Sequence, residues 1–227
     1  MRVIGLIGGI SAESTAVYYA AINRMVRERL GGLHSARLVV WSVDFAPVAA
    51  LQASGEWDKA GEILAEAGAA LERSGAEAVL IGANTMHLVA DQVQARLSVP
   101  LIHIADATAA ALIRVGATRP LLLATRFTME KAFYRDRLAA QGIEAQVPDE
   151  ADRAALHAII YDELCQGVVT ATSKAAVLEM VGRAEGVDSV NFGCTEIGLL
   201  LSPEDLELPV VDTALVHAEA AVDFALA

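Results

Sequence analysis

Short apolar runs rich in Val, Ile and Leu alternate along this chain with longer alanine-rich stretches of helical period, and that alternation admits few folds. Apolar runs without polar alternation suit strands buried on both faces, which occur in parallel sheets covered by helices. The expected class is therefore α/β. The pattern predicts strands over Val3 to Ile7, Arg37 to Val43, Ala78 to Ile81, Leu101 to Ile104, Leu121 to Ala124, Ser189 to Phe192 and Val210 to Val211, with a weaker one over Gly142 to Val147. Helices are predicted over Ser14 to Arg29, Trp57 to Ser74, Met86 to Arg96, Asp106 to Val115, Met129 to Gln141, Asp149 to Gln166 and Ser173 to Arg183.

Folding the sequence over itself reveals a repeat. The run Ala78-Val79-Leu80-Ile81-Gly82-Ala83-Asn84-Thr85 aligns with Ser189-Val190-Asn191-Phe192-Gly193-Cys194-Thr195-Glu196. Further on, Val99-Pro100-Leu101-Ile102-His103 aligns with Leu208-Pro209-Val210-Val211-Asp212, and the strand at Val3 has its counterpart at Leu121. The repeat implies two pseudo-symmetric lobes, 1–115 and 116–227, each a mostly parallel sheet flanked by helices, with the C-terminal helix packing across to the first lobe as an alternative. Open parallel sheets bind ligands beyond the carboxyl ends of their strands, so a site in a cleft shared by the two lobes is expected.

Composition narrows the function. The chain has 227 residues, 55% apolar, enough for a sizeable core. Its formal charge of −12 opposes polyanions, which argues against nucleic acid. No apolar run reaches the roughly 18 residues that span a bilayer, and the start is too soon broken by glycine for a signal peptide. No membrane association and a cytoplasmic location are expected. Cys165 and Cys194 have no metal-site spacing, and none of the three lysines (Lys59, Lys131, Lys174) ends an apolar strand, so neither zinc nor a pyridoxal phosphate Schiff base is indicated.

The segments after the predicted strands carry the candidate chemistry. Gly8-Gly9-Ile10-Ser11 offers backbone N–H groups before a helix, or simply a tight turn with Ser11 as N-cap. Asn84 and Thr85 supply neutral donors suited to a carboxylate or enolate oxygen, and His87 lies one turn on as a proton donor or a structural residue. Cys194 sits where a strand gives way to a helix start, a position that can lower a thiol pKa, with Thr195 and Glu196 as donor and orienting group. Thr125, Arg126 and Thr128 bring hydroxyls and a guanidinium; Asp44 is a cap or an ammonium ligand, with Gln52 within reach of the same space. Cys165, on an amphipathic helix, reads as a buried inert thiol.

Taken together, these segments resemble the aspartate/glutamate racemase superfamily, and within it the amino-acid racemase group. The resemblance rests on Gly8-Gly9-Ile10-Ser11 with Glu13-Ser14-Thr15 and Tyr18-Tyr19, Ser42-Val43-Asp44-Phe45, Asn84-Thr85-Met86-His87, His103 to Thr108, Thr125 to Met129, Gly193 to Glu196, and Asp212-Thr213 with His217. It implies a cofactor-independent isomerase acting on a small amino-acid or dicarboxylate substrate, with an acidic amino acid expected, and usually a homodimer. In that family two cysteines face each other across the substrate α-carbon, because inversion by proton transfer needs a base on one face and an acid on the other. The second is Cys194; at the first position this chain has Ala83. Ile10 replaces the family's methionine, and the aromatic usual at Ala12 is missing. The resemblance thus implies Cys194 as acid/base, Thr85 or a water serving the face left by Ala83, and carboxylates held by Ser11, Asn84, Thr85, Thr125 and Thr195. A one-thiol decarboxylase or isomerase of small dicarboxylates, and a binding protein that has lost turnover, are the alternatives.

Overall fold

A computed structural model describes residues 1–227. By contacts the chain divides into two units, one of Met1–Ile104 with Ala214–Ala227, the other of Ala105–Thr213. No helix is long and apolar enough to cross a membrane.

In the first unit, strand β1 (Ile4–Gly8) is buried along its whole length between two parallel neighbours, β2 (Leu38–Ser42) and β3 (Ala78–Ile81). A further segment at Leu101 pairs in parallel with Val79 of β3, giving the order β2, β1, β3, Leu101. Helix α1 (Ala12–Leu30) comes after β1, and α2 (Phe45–Ser54) and α3 (Trp57–Arg73) lie between β2 and β3. Ala60, Leu64, Ala67 and Leu71 recur at helical spacing along α3, and all four join the core with Ile7, Val79 and Ile81. Gly5 of β1 permits this approach, since a Cβ there would lie 3.0 Å from the Leu71 Cβ. The opposite face of the sheet is covered by α1 and by the C-terminal helix, whose Ala214, Ala218, Ala221, Val222 and Ala225 pack with Ile4, Leu6, Tyr18 and Ile22.

After β3 the chain makes a 3-10 turn (Thr85–Val89) and a short helix α4 (Ala90–Gln94), where one helix from Met86 to Arg96 was expected. The second unit then begins with α5 (Ile104–Arg114). Its sheet has β4 (Pro120–Leu123) paired in parallel with β5 (Ser189–Phe192), which pairs with β6 (Val210–Asp212). Leu121 is bridged on the other side by Gln146, so the weak strand over 142–147 reduces to that contact. Helices α6 (Arg126–Glu130), α7 (Ala132–Ala139), α8 (Glu150–Ala158), α9 (Ala171–Gly182) and the single turn α10 (Ile197–Leu200) surround this sheet. Two predicted helices are broken: 129–141 divides at Lys131, and 149–166 passes from α8 through a π-helical turn (Ile159–Glu163) into a 3-10 turn (Leu164–Gln166).

Each unit therefore holds the same parallel order, with β1 matching β4, β3 matching β5, and Leu101 matching β6, the pairing seen in the sequence repeat. Even the exits match: Gly82 N–H donates to Ile7 C=O at 2.9 Å and Gly193 N–H to Leu123 C=O at 2.8 Å. The unit boundaries differ from a single cut after residue 115. α5 comes after the Leu101 segment yet belongs with the second unit, and the C-terminal helix α11 (Thr213–Leu226) comes after β6 yet belongs with the first. Their side chains decide this. Tyr18, on α1, donates its hydroxyl to Nδ1 of His217 on α11 at 2.8 Å, and Tyr134, on α7, is hydrogen-bonded to Thr108 on α5. These are equivalent positions of the repeat.

Candidate active site

In the first unit, the turn after β1 is shaped by close approach. Gly9 adopts φ +79°, and a Cβ on it would lie 2.1 Å from the Val43 carbonyl oxygen. The next sharp feature is Ser11, whose φ of 133° is the one positive value outside glycine. Such backbone is costly and concentrates at functional sites. Its hydroxyl accepts the Ser14 N–H at 3.1 Å, so the N-cap reading of Ser11 is realised. Asp44 likewise caps α2 by accepting the Ala46 N–H at 3.2 Å. Gln52, buried on α2, donates to the Met86 sulfur at 3.0 Å and so lies against the turn after Asn84 and Thr85.

Ala83, Asn84 and Thr85 leave β3 at the carboxyl end of the sheet, all buried. His87 does not face outward as a proton donor. Its Nδ1 lies 2.8 Å from the Ala83 carbonyl oxygen, and its Nε2 accepts the Ile104 N–H at 3.2 Å. Both ring nitrogens are engaged by main chain.

In the second unit, Thr125 leaves β4 and Cys194 leaves the neighbouring β5, both past the last paired residues Leu123 and Phe192. Thr125 caps α6: its hydroxyl oxygen accepts the Thr128 N–H at 3.4 Å and lies 3.3 Å from the Thr128 hydroxyl. Both threonines are buried, whereas Arg126 between them is exposed. Gly193 is required by packing, because a Cβ there would lie 2.3 Å from Leu122 Cδ1.

Cys194, Thr195 and Glu196 form one cluster. The thiol donates to Glu196 Oε2 at 2.8 Å and the Thr195 hydroxyl donates to the same oxygen at 2.9 Å. All three side chains are buried. Burial pushes the Cys194 thiol well above its ordinary pKa, and the neighbouring Glu196 and Cys165 push it in the same direction. The expectation of a thiol activated by a helix start is overturned on this point: α10 is a single turn, and burial beside a carboxylate outweighs it. The geometry agrees, with Sγ as the donor in its bond to Glu196.

Tyr161 is a member of this cluster that sequence reasoning missed. Burial raises its pKa, and so do Cys194, Cys165 and Glu196 around it. It sits in the π-helical turn, which shifts the helix face by one residue relative to the amphipathic pattern. Its ring packs on His157 with centroids 4.6 Å apart, and His157 in turn lies edge-on to Phe127. The bulge leaves no local signal in sequence; only tertiary contact discloses it. Cys165 is half-buried nearby rather than an isolated core residue. No group of three or more His, Cys, Asp or Glu side chains is arranged to hold a metal ion.

Two sets of strand-end residues thus result. Ser11, Gln52, Ala83, Asn84 and Thr85 belong to the first unit, and Thr125, Thr128, Cys194, Thr195 and Glu196 to the second. The first set supplies hydroxyl, amide and main-chain groups, the second a thiol hydrogen-bonded to a carboxylate.

Comparison with known proteins finds relatives along the whole chain. The family model described as Asp/Glu/hydantoin racemase matches residues 7–221. A solved structure from Yersinia pestis, carrying the provisional name Asp/Glu racemase, is 47% identical with TM-score 0.91, over the whole of both chains. An aspartate racemase homologue from Pyrococcus horikoshii OT3 is 34% identical with TM-score 0.86, again over all of both chains. The broad specificity amino-acid racemase of Bacillus subtilis (strain 168) is 26% identical over 159 residues, 69% of this chain and 68% of that protein.

Proposed function

This chain belongs to the Asp/Glu/hydantoin racemase family, and from that premise we propose that it is a cofactor-independent racemase of a small amino acid, with aspartate and glutamate the first candidates. The observation that carries the reading is the Cys194 cluster. A buried thiol whose S–H is held by a carboxylate is a proton donor fixed in a defined direction. In the proposed reaction Cys194 gives a proton to one face of the α-carbanion, or as thiolate removes it in the reverse sense. Glu196 orients the S–H and Thr195 alike. Asn84, Thr85, Thr125 and Ser11 bind carboxylate oxygens through neutral donors, and Thr85 or a water serves the face where Ala83 has no proton to transfer. Thr128 and Gln52 hold Thr125 and the Thr85–Met86 turn in place. We place the enzyme in the cytoplasm as a homodimer.

Incubating L- and D-aspartate and glutamate with the protein in D2O tests the proposal. Loss of the α-proton signal with inversion is expected. Exchange from one enantiomer without inversion would mark a one-base enzyme, and no exchange from either would end the reading for these substrates.

One observation favours a second reading. A single thiol that donates to a carboxylate, in a chain with alanine at the other acid/base position, suits one-sided protonation of an enediolate, as in the decarboxylation of a substituted malonate. Carbon dioxide release from such a malonate, lost on Cys194→Ser, would establish it; a binding protein without turnover would keep its ligand affinity in the same variant.

A further inference from the structure

His87 is a buried titratable group for which the proposed reaction has no use, and both of its ring nitrogens meet main chain. A backbone N–H can only donate and a carbonyl can only accept. Because the Ile104 N–H points at Nε2 at 3.2 Å, that nitrogen carries no proton; because the Ala83 carbonyl lies 2.8 Å from Nδ1, the proton is there. The ring is fixed as the neutral Nδ1–H tautomer. Protonating Nε2 would set two donors against each other.

The segment that supplies the Ile104 N–H is itself held by a second imidazole. His217 lies 2.7 Å from the Ile102 carbonyl through Nε2, which therefore donates, and its Nδ1 accepts from Tyr18. Burial depresses its pKa to about 4, so it too is neutral near pH 7. The His87 ring also packs edge-on to His103 and His217, with centroids 4.5 and 5.7 Å apart. Tyr18, His217, the main chain from Ile102 to Ile104, and His87 thus form one continuous set of hydrogen bonds ending on the Ala83 carbonyl.

We propose that His87 is a positioning residue: by fixing the Ala83 carbonyl it sets the direction in which the main chain leaves β3 and presents Asn84 and Thr85 to the substrate. The kinetic consequence rests on the racemase reading. At the equivalent place in the second unit there is no imidazole. The repeat puts Gly198 opposite His87 and Asp212 opposite His103, and a Cβ on Gly198 would lie 2.7 Å from Asp212 Oδ2. There Glu196 orders the turn through side chains; here, where the turn bears only a methyl group at Ala83, His87 orders it through the backbone.

An asparagine amide nitrogen reaches the place of imidazole Nδ1, whereas a glutamine amide reaches that of Nε2, and this separates the two roles. With α-proton exchange as the assay, His87→Asn is expected to stay within about tenfold of the parent, and His87→Gln to lose ~10²-fold in kcat/KM through a higher KM, the scale expected for misplaced binding groups. Equal losses in both variants, or glutamine outperforming asparagine, would mean that His87 merely fills volume and would overturn the proposal. Nitrogen-15 NMR of the parent protein decides the tautomer without any substrate: Nδ1–H is expected, and Nε2–H or a charged ring near neutral pH would overturn it. Should the parent exchange no amino acid, the racemase reading fails by itself. Faster amide hydrogen exchange at Asn84 and Thr85 in His87→Gln than in His87→Asn then still reports the strut, and equal exchange in the two would refute it.

Discussion

The turns after β3 and β5 are the same backbone motif solved in two ways. Both come after a fully buried strand, both pass through a glycine whose N–H donates to the neighbouring strand, and both deliver three residues to the carboxyl end of a parallel sheet. After β5 the ordering is done by side chains, with Cys194 and Thr195 converging on Glu196. After β3 side chains from outside the three delivered residues reach in, His87 to the Ala83 carbonyl and Gln52 to Met86. The difference teaches that a duplicated scaffold can keep strand order and exit geometry while leaving each turn free to acquire its own chemistry. One turn carries a thiol and a carboxylate; the other holds its place without either.

The largest effect should come from removing the asymmetric partner. Cys194→Ala is expected to lower α-proton exchange by ~10³-fold or more, the usual scale for a positioned acid or base. If exchange instead survives within about tenfold, the chemistry lies with the first unit and the comparison inverts.

A second contrast is thermodynamic. His217 and Thr108 occupy equivalent positions, but only the histidine titrates. Its folded pKa is depressed to about 4 from 6.5, so between those values the unfolded chain binds a proton that the folded chain does not. Stability should therefore fall as pH drops from about 6.5 to 4, by ~3 kcal/mol in total, and should change no further from this group below pH 4. Urea unfolding midpoints across that range measure the slope. In His217→Gln the slope should flatten, and an unchanged slope would assign it to other groups.

The buried tyrosines sharpen the comparison further. Tyr18→Phe leaves His217 Nδ1 without its donor, and Tyr134→Phe leaves both Thr108 and the Asn191 amide short of a partner. Asn191 already has an unpaired Oδ1 at full burial. Each substitution should cost ~1–3 kcal/mol, with Tyr134→Phe the greater because it strands two groups. Equal costs by urea unfolding would show that Thr108 and Asn191 find each other or water.

The smallest effect concerns the thiol itself. In Glu196→Gln the negative charge beside Cys194 is gone, so its pKa should move down toward the ordinary thiol range, though burial, the larger cause, remains. The pH at which iodoacetamide begins to alkylate Cys194 should fall accordingly. No shift would mean that burial alone sets the thiol.

Much of this organisation was legible in the residues. The runs Ala78–Ile81 and Ser189–Phe192 are strands at the bounds expected of them; the first is apolar throughout, as suits a strand buried on both faces, and the second is legible through its alignment with the first. The pairing of Ala83 with Cys194 could be read from the sequence alone, since a strand ending in glycine fixes the register of the residues after it. Less legible was α11, whose alanine-rich face carries little contrast, and Tyr161, which a π-helical turn displaces from the pattern of its own helix.

The sequence by itself determined the α/β class, the duplicated strand order and the identity of the residues at the strand ends, all local consequences of apolar period and turn chemistry. Only the tertiary structure decided which unit each of α5 and α11 joins, because that depends on distant partners such as Tyr18 for His217. It alone decided the state of Cys194 as well. A thiol pKa is set by what surrounds the sulfur, and burial beside Glu196 and Cys165 reverses the sense that its place in the chain had suggested.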